Sequence, residues 1–447
     1  MHLEDGSRVA VVGGGPAGSF SAYFLKVMSK RVGLDIDVDI YEPKDFLAAG
    51  PAGCNMCGGI VSESLVQLLA VEGILLPDGV VERGIDAYVM HSDVGTVRLE
   101  TPLHELRIAA VHRGGGPRGR SDRGHGGLDN HLLERAREEG ATIVRERVKA
   151  LSRENGRPVV ATASGAKPYD LLVGAVGVTG PGVQLFEGLN FAYGRPKLVK
   201  TYIMEVKLGA ERIRELFGSA MHVFLLDLPR LEFAAIIPKG DFATLCMLGT
   251  DIDHELVESF LAAKEVRGLF PADVDLSSPS CHCGPSMNVG AARNPCADRV
   301  VVVGDCGASR LFKDGIGACY KAARAAAVTA VFEGVSREDF QRHYLPTYRR
   351  IERDNAFGRL IFMNVGLIKS ASWLRRGIVG MLSSEQSKAG RERRLSRVMW
   401  DTFTGSASYR DIFLRFLDPR LVLPMATRSA REIFRPGGAG GLSALEG

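Results

Sequence analysis

The segment Val9-Ala10-Val11-Val12-Gly13-Gly14-Gly15-Pro16-Ala17-Gly18 leaves this chain few ways to begin. Four apolar residues in a row read as a buried strand, and Gly13-x-Gly15-x-x-Gly18 with Pro16 reads as a tight turn into a helix running to about Met28. A second strand is expected over 34–41, where apolar residues alternate with Asp35, Asp37 and Asp39, and Glu42 closes it. Positions without side chains let a diphosphate approach the backbone, and the helix N-terminus offers unpaired N–H groups and a positive dipole end. Glu42 stands where a carboxylate can accept both hydroxyls of an adenosine ribose, and an acid there argues against a 2′-phosphate. Strand, turn, helix and acid in this order point to a dinucleotide rather than to a glycine turn that is only structural.

A second motif chooses between dinucleotides. Val300-Val301-Val302-Val303-Gly304-Asp305-Cys306-Gly307-Ala308 is another apolar strand feeding a glycine-acid turn, and Lys313-Asp314-Gly315-Ile316-Gly317 opens an alanine-rich helix. Asp305 can meet the ribityl hydroxyls of a flavin, while small residues at 315 and 317 let the helix N-terminus face the pyrimidine end of the isoalloxazine. A nicotinamide site needs no such second half, so the expected cofactor is FAD, held by Gly13, Gly15, Pro16, Ala17, Gly18, Glu42, Arg113, Gly304, Asp305, Gly315, Ile316 and Gly317.

At 447 residues the chain exceeds one ordinary core. The fold class is α/β: a discontinuous Rossmann-like FAD-binding domain (7–80, 106–182 and 284–335), a β-rich substrate domain (81–105 and 183–283), a helical basic C-terminal region (336–434) and a loose Pro/Gly-rich tail (435–447). Strands are expected at 85–99, 142–148, 171–173 and several times in 199–250, with a helix near 211–217 and another capped by Asp129. From Val111 to Gly127 glycine and arginine dominate, which predicts a loop. Its arginines, Arg113 first among them, can clamp phosphates through bidentate contacts or stand in solvent, and solvent is expected for Arg118, Arg120 and Arg123. His104, His112, His125 and His282 show no ligand spacing and read as structural.

No basic and apolar leader precedes the first strand, which predicts a cytoplasmic protein whose eight cysteines stay reduced. Cys54 and Cys57 have the C-x-x-C spacing of a redox pair, a metal pair or neither, and Cys281 and Cys283 add a second close pair. Residues 341–440 carry 19 Lys+Arg against 8 Asp+Glu, whereas the remainder carries 37 against 44. That basic third contains the apolar stretches 360–363 and 378–382, a pattern suited to an anionic membrane surface, an acidic protein partner, or plain solvated packing. No apolar run approaches the ~20 residues that span a bilayer, and no nucleic-acid motif is present.

These motifs resemble those of the para-hydroxybenzoate-hydroxylase-fold flavoproteins, and among them the geranylgeranyl reductase family. The stretch Cys54-Asn55-Met56-Cys57-Gly58-Gly59-Ile60-Val61-Ser62 is similar to that family's cysteine-glycine loop beside the flavin. The stretch Leu231-Glu232-Phe233-Ala234-Ala235-Ile236-Ile237-Pro238-Lys239-Gly240-Asp241 is similar to its strand at the substrate cavity. Two departures stand out. Gly174-Ala175 replaces the Asp-Gly pair of aromatic hydroxylases, and Phe233, Ala235 and Ile237 replace alternate aromatics of the reductases. The Trp-x-Trp-x-Ile-Pro segment of flavin halogenases is missing.

The resemblance implies an FAD-dependent oxidoreductase acting on a prenyl or other lipid-like substrate, reducing a carbon–carbon double bond. Cys54, and next to it Cys57, is the candidate proton donor, and Phe233, Ala235, Ile237 and Pro238 are the expected cavity residues. The electron donor is expected to be NAD(P)H, a ferredoxin or a partner flavoprotein. Alternatives are a quinone-linked dehydrogenase, an electron-transfer subunit of a membrane-associated complex, and a monooxygenase.

Overall fold

A computed structural model describes residues 1–100, 108–120, 126–387 and 392–433; Arg123, His104, His125 and the tail 435–447 lie outside the described residues. The opening motif folds as its pattern predicts. Strand Ser7–Val12 leads through the glycine turn into helix Pro16–Arg31, and the chain returns along strand Ile36–Tyr41, parallel to the first. Strand Leu171–Gly174 pairs in parallel with the other side of Ser7–Val12, and Val300–Val302 pairs in parallel with Leu171–Gly174. The full six-strand order is 296–297, 300–302, 171–174, 7–12, 36–41, 142–144. Two segments almost 300 residues apart in the chain therefore end at the same edge of one sheet.

Helix Pro16–Arg31 packs on the alanine-rich helix Gly315–Val328, with Phe20 and Phe24 each edge-on to Tyr320 at 5.6 and 5.4 Å. Alanines at 318, 322, 323, 326 and 327 are buried there, which is what allows two helices to approach closely.

A seven-stranded sheet runs 281–283, 202–207, 242–249, 231–239, 220–224, 87–92, 95–100. Its strand Leu231–Lys239 shows the period of two in its burial partners. Phe233, Ala235 and Ile237 face one core together with the C-terminal helices, while Ala234 and Ile236 face a second core under helices Ala210–Phe217 and His254–Ala262. The remaining length is helical: Leu345–Ser370, Ser372–Gln386, Arg394–Thr404, Tyr409–Phe416 and Pro419–Ile433.

Several expectations need correcting. The cap of helix Leu128–Glu138 is Gly127, and Asp129 sits in the first turn with its carboxylate turned back onto the preceding loop. That loop is not solvated throughout: Gly114 to Pro117 are buried, because backbone without side chains can pack where arginines cannot. Arg120 is largely withdrawn from solvent as well, paired with Glu82 at 2.6 Å, whereas Arg118 is exposed. A meander of strands 150–154, 157–161 and 166–168 was not foreseen, since its outer strand alternates too weakly to announce itself. Of the two apolar stretches in the basic third, Ile378, Met381 and Leu382 are core residues and face no lipid.

Candidate functional site

The two strand ends meet in direct contact. A methyl group on Gly18 would lie 1.8 Å from the Gly13 carbonyl oxygen, so only glycine lets the helix start so close to the turn. Gly304 has φ +72°, and a methyl group there would lie 2.5 Å from Cβ of Ala17. The first motif and the second are thus interlocked at van der Waals distance. Gly18, Gly304 and Gly317 shape the backbone from behind; Gly13, Gly15, Pro16, Ala17, Gly315 and Ile316 line the hollow itself.

Polar atoms ring this cradle. Glu42 is buried, with Oε2 accepting the Gly14 N–H at 2.8 Å and Oε1 accepting the Lys44 N–H at 2.9 Å. Each oxygen keeps a further lone pair for a ribose hydroxyl. Asp129, fully buried, is the hub of the opposite wall. It accepts Arg113 Nε at 2.7 Å, the Gly114 N–H at 2.7 Å and Asn55 Nδ2 at 3.0 Å, and Lys44 Nζ donates in turn to Asn55 Oδ1. Burial works against the Arg113 charge, but Asp129 and neighbouring groups outweigh it, so the guanidinium stays protonated with its remaining N–H groups at the hollow.

Asp305 supplies the decisive test of fit. Its Oδ1 is sealed from solvent and has no hydrogen-bond partner, and burial raises its pKa against the help of Ser309 and Arg113. A buried carboxylate oxygen without a donor is costly unless a ligand brings one. It lies 3.9 Å from where a Gly315 side chain would begin, beside the N-terminus of helix Gly315–Val328. The cradle therefore presents glycine backbone and a helix N-terminus for a diphosphate, an acid for a ribose, and an orphaned acceptor for further hydroxyls. This set fits FAD.

The same hollow, about 970 Å³ in volume, continues past the cradle between the two sheets. That is the upper end of the range for ligand pockets. Ile60, Ile203, Met221, Phe233, Ala235 and Ile237 line the far part with aliphatic and aromatic surface, whereas Pro238 does not reach it.

The cysteine loop divides in a way the spacing did not reveal. Cys57 lines the hollow; Cys54 does not, its Sγ accepting the Met56 N–H at 3.3 Å beside Glu205 and Cys281. Burial pushes the Cys54 and Cys281 thiols up and Cys283 up to about 12, so these groups hold their protons rather than acting as thiolates. Among the described residues no three His, Cys, Asp or Glu side chains converge as metal ligands, and the four-thiolate arrangement is not formed.

Further contributors escaped the sequence reading. Phe403 and Thr404, from the basic C-terminal region, form part of the wall, with Phe403 against Phe233 at 6.1 Å. Buried Arg310 and half-buried Lys313 hold them there. Arg310 donates to the carbonyls of Gly405 and Ala407, Lys313 Nζ to those of Asp401 and Thr402, and both cations stack on Tyr409. The only available signal was a cationic pair, three positions apart, in the turn before the alanine-rich helix. It says that partners exist and not where they lie in the chain.

No family model matches the sequence, and no curated protein matches it either. Solved structures do match in shape. A geranylgeranyl bacteriochlorophyll reductase-like protein from Thermoplasma acidophilum superposes with a TM-score of 0.65 at 15% identity, covering 93% of this chain and 99% of that one. A flavoprotein/dehydrogenase from Cytophaga hutchinsonii gives 0.64 at 15% identity over 96% and 100%. A p-nitrophenol 4-monooxygenase from Pseudomonas putida gives 0.61 at 13% identity over 91% and 99%. The chain has the fold these proteins share, the one that its motifs resemble.

Proposed function

We propose that the chain binds FAD in this cradle and is an oxidoreductase acting on a hydrophobic, lipid-like substrate, reducing a carbon–carbon double bond. The observation that carries the reading is the continuity of the polar cradle with a cavity walled by the apolar side chains of Ile60, Ile203, Met221, Phe233, Ala235 and Ile237. When bound and reduced, FAD supplies a two-electron hydride donor. The residues of the chain do the rest. Ile203, Met221, Phe233 and Ile237 hold the chain of the substrate and exclude water, and the Cys57 thiol on the cavity wall hands a proton to the second carbon. This moves the acid role from Cys54 to Cys57. Lys313 also stands on that wall, its pKa lowered by burial.

The test is anaerobic turnover of the dithionite-reduced enzyme with a polyprenyl lipid, followed by mass spectrometry. The reading requires a gain of two hydrogens per saturated bond. It also requires Cys57→Ala to slow turnover about tenfold or more with FAD retained, while Cys54→Ala stays within about twofold. Quinol formation from an added quinone with no saturated lipid would support the dehydrogenase reading instead. A monooxygenase reading draws on the likeness to the p-nitrophenol enzyme; oxygen uptake coupled to a hydroxylated product is its signature.

A further inference from the structure

Thirteen large apolar side chains are exposed among the described residues, and seven of them fall between 360 and 423, roughly a seventh of the chain. Their arrangement is regular. Leu360, Met363 and Leu367 recur at three and four residues and so share one face of helix Leu345–Ser370, where Met363 and Leu367 are 62% and 61% exposed. No charged residue occurs from 360 to 368. Leu414, Leu417 and Leu423 stand exposed at the corner between helices Tyr409–Phe416 and Pro419–Ile433, next to exposed Arg415 and Arg420.

This face backs onto the site. On the same helix Phe362 packs edge-on against Phe312 at 4.8 Å, and Phe312 lines the cavity. One helix thus separates the cavity from an apolar surface open to solvent. Charge suits an anionic plane: residues 360–423 carry 11 Lys+Arg against 5 Asp+Glu in sequence, and of the arginines described there Arg397, Arg410 and Arg420 are exposed, while Arg375, Arg394 and Arg415 are paired with Asp93, Asp418 and Asp401. At the end of this helix buried Lys369 donates its Nζ to the Leu231 carbonyl, with Asp227 and Glu232 near enough to act on its charge. Among the described residues no helix is long and apolar enough to cross a membrane, so contact is made from one side.

We propose that this helical face seats the protein on an anionic lipid surface, with Leu360, Met363, Leu367 and Trp373 entering the headgroup boundary and the neighbouring arginines meeting lipid phosphates. Amphipathic helices lie in such interfaces with their apolar stripe buried about 5–10 Å. The link from docking to substrate entry rests on the lipid-substrate reading; the docking itself does not.

The experiment uses the full, flavin-loaded chain sedimented with vesicles of phosphatidylcholine containing about 30% phosphatidylglycerol, against pure phosphatidylcholine. Binding should favour the anionic vesicles at least about tenfold and weaken as salt rises. The triple variant L360E/M363E/L367E should lose about tenfold or more of that binding with its flavin spectrum and thermal midpoint unchanged. In the unaltered protein Trp373 emission should shift to the blue on vesicles, and W373F should lack the shift, which keeps the test valid should the triple variant misfold. Absence from the vesicle pellet, binding by the triple variant equal to the parent, or selective capture of an acidic protein with no vesicle binding would each overturn the proposal. Turnover of detergent-dispersed substrate separates the two readings: vesicle binding without turnover sinks the substrate assignment alone.

Discussion

The cradle side of the hollow offers a ligand backbone and a handful of polar atoms: the turn at Gly13–Gly18, the carboxylates of Glu42 and Asp305, the cation of Arg113. The cavity side offers the faces of strands, Ile203, Met221, Phe233, Ala235 and Ile237, with scarcely a polar atom among them. A polar ligand must be met atom by atom, because each unpaired donor or acceptor costs free energy on burial. An apolar ligand asks only for volume and shape. Short motifs can encode the first demand. The second is spread over the whole interior.

Substitutions should break the two sides differently. The largest effect is expected from Gly18→Ala, whose methyl group has no room beside the Gly13 carbonyl. Purified protein should be colourless, with flavin affinity reduced roughly a hundredfold or more, as fits the ~1–3 kcal/mol or greater cost of overpacking. Yellow, fully loaded protein would mean that the turn does not contact the cofactor.

Asp305→Ala comes next. Losing the orphaned acceptor should weaken FAD binding roughly tenfold to a hundredfold, read by fluorescence quenching on titration, with Asp305→Asn recovering part of it. Across the hollow, Ala235→Phe should leave flavin content unchanged while slowing turnover of a long-chain substrate about tenfold, by occupying space that the substrate needs. Equal loss of flavin in both variants would erase the distinction between the sides.

The smallest effect concerns stability. Buried His91 and His222 bond ring to ring at 2.8 Å in the cavity-side sheet, and burial lowers their pKa values to about 4 and about 3. Below their unfolded value of about 6.5 the unfolded chain binds protons that the folded chain refuses, so stability should fall as pH drops from about 6.5 toward 4. Each histidine contributes at most about 1.4 kcal/mol per pH unit. His222→Phe should flatten the denaturation profile in that window, and an unchanged profile would show that the pair is solvated.

The elements legible in advance were those whose reason for existing is local. Val9–Val12 and Val300–Val303 announce buried strands by four apolar residues each. Asp129 was misread because a cap and a hub use the same side chain; only the return of Arg113 and Gly114 past it decides the matter. The meander at 150–168 stayed hidden because its outer strand Ala166–Pro168 is exposed and buries no apolar face.

By itself the sequence pointed two separate glycine-acid turns at one dinucleotide, since backbone approach and charge complementarity demand particular residues at particular spacings. Only the tertiary structure decided which cysteine faces the cavity, that Phe403 and Thr404 close it, and which apolar stretch of the basic third stays exposed. Those outcomes depend on distant partners, Arg310 and Lys313 reaching across some ninety residues to the carbonyls of 401–407. A carbonyl is the same atom in every residue, so no side-chain pattern can announce where such a contact will form.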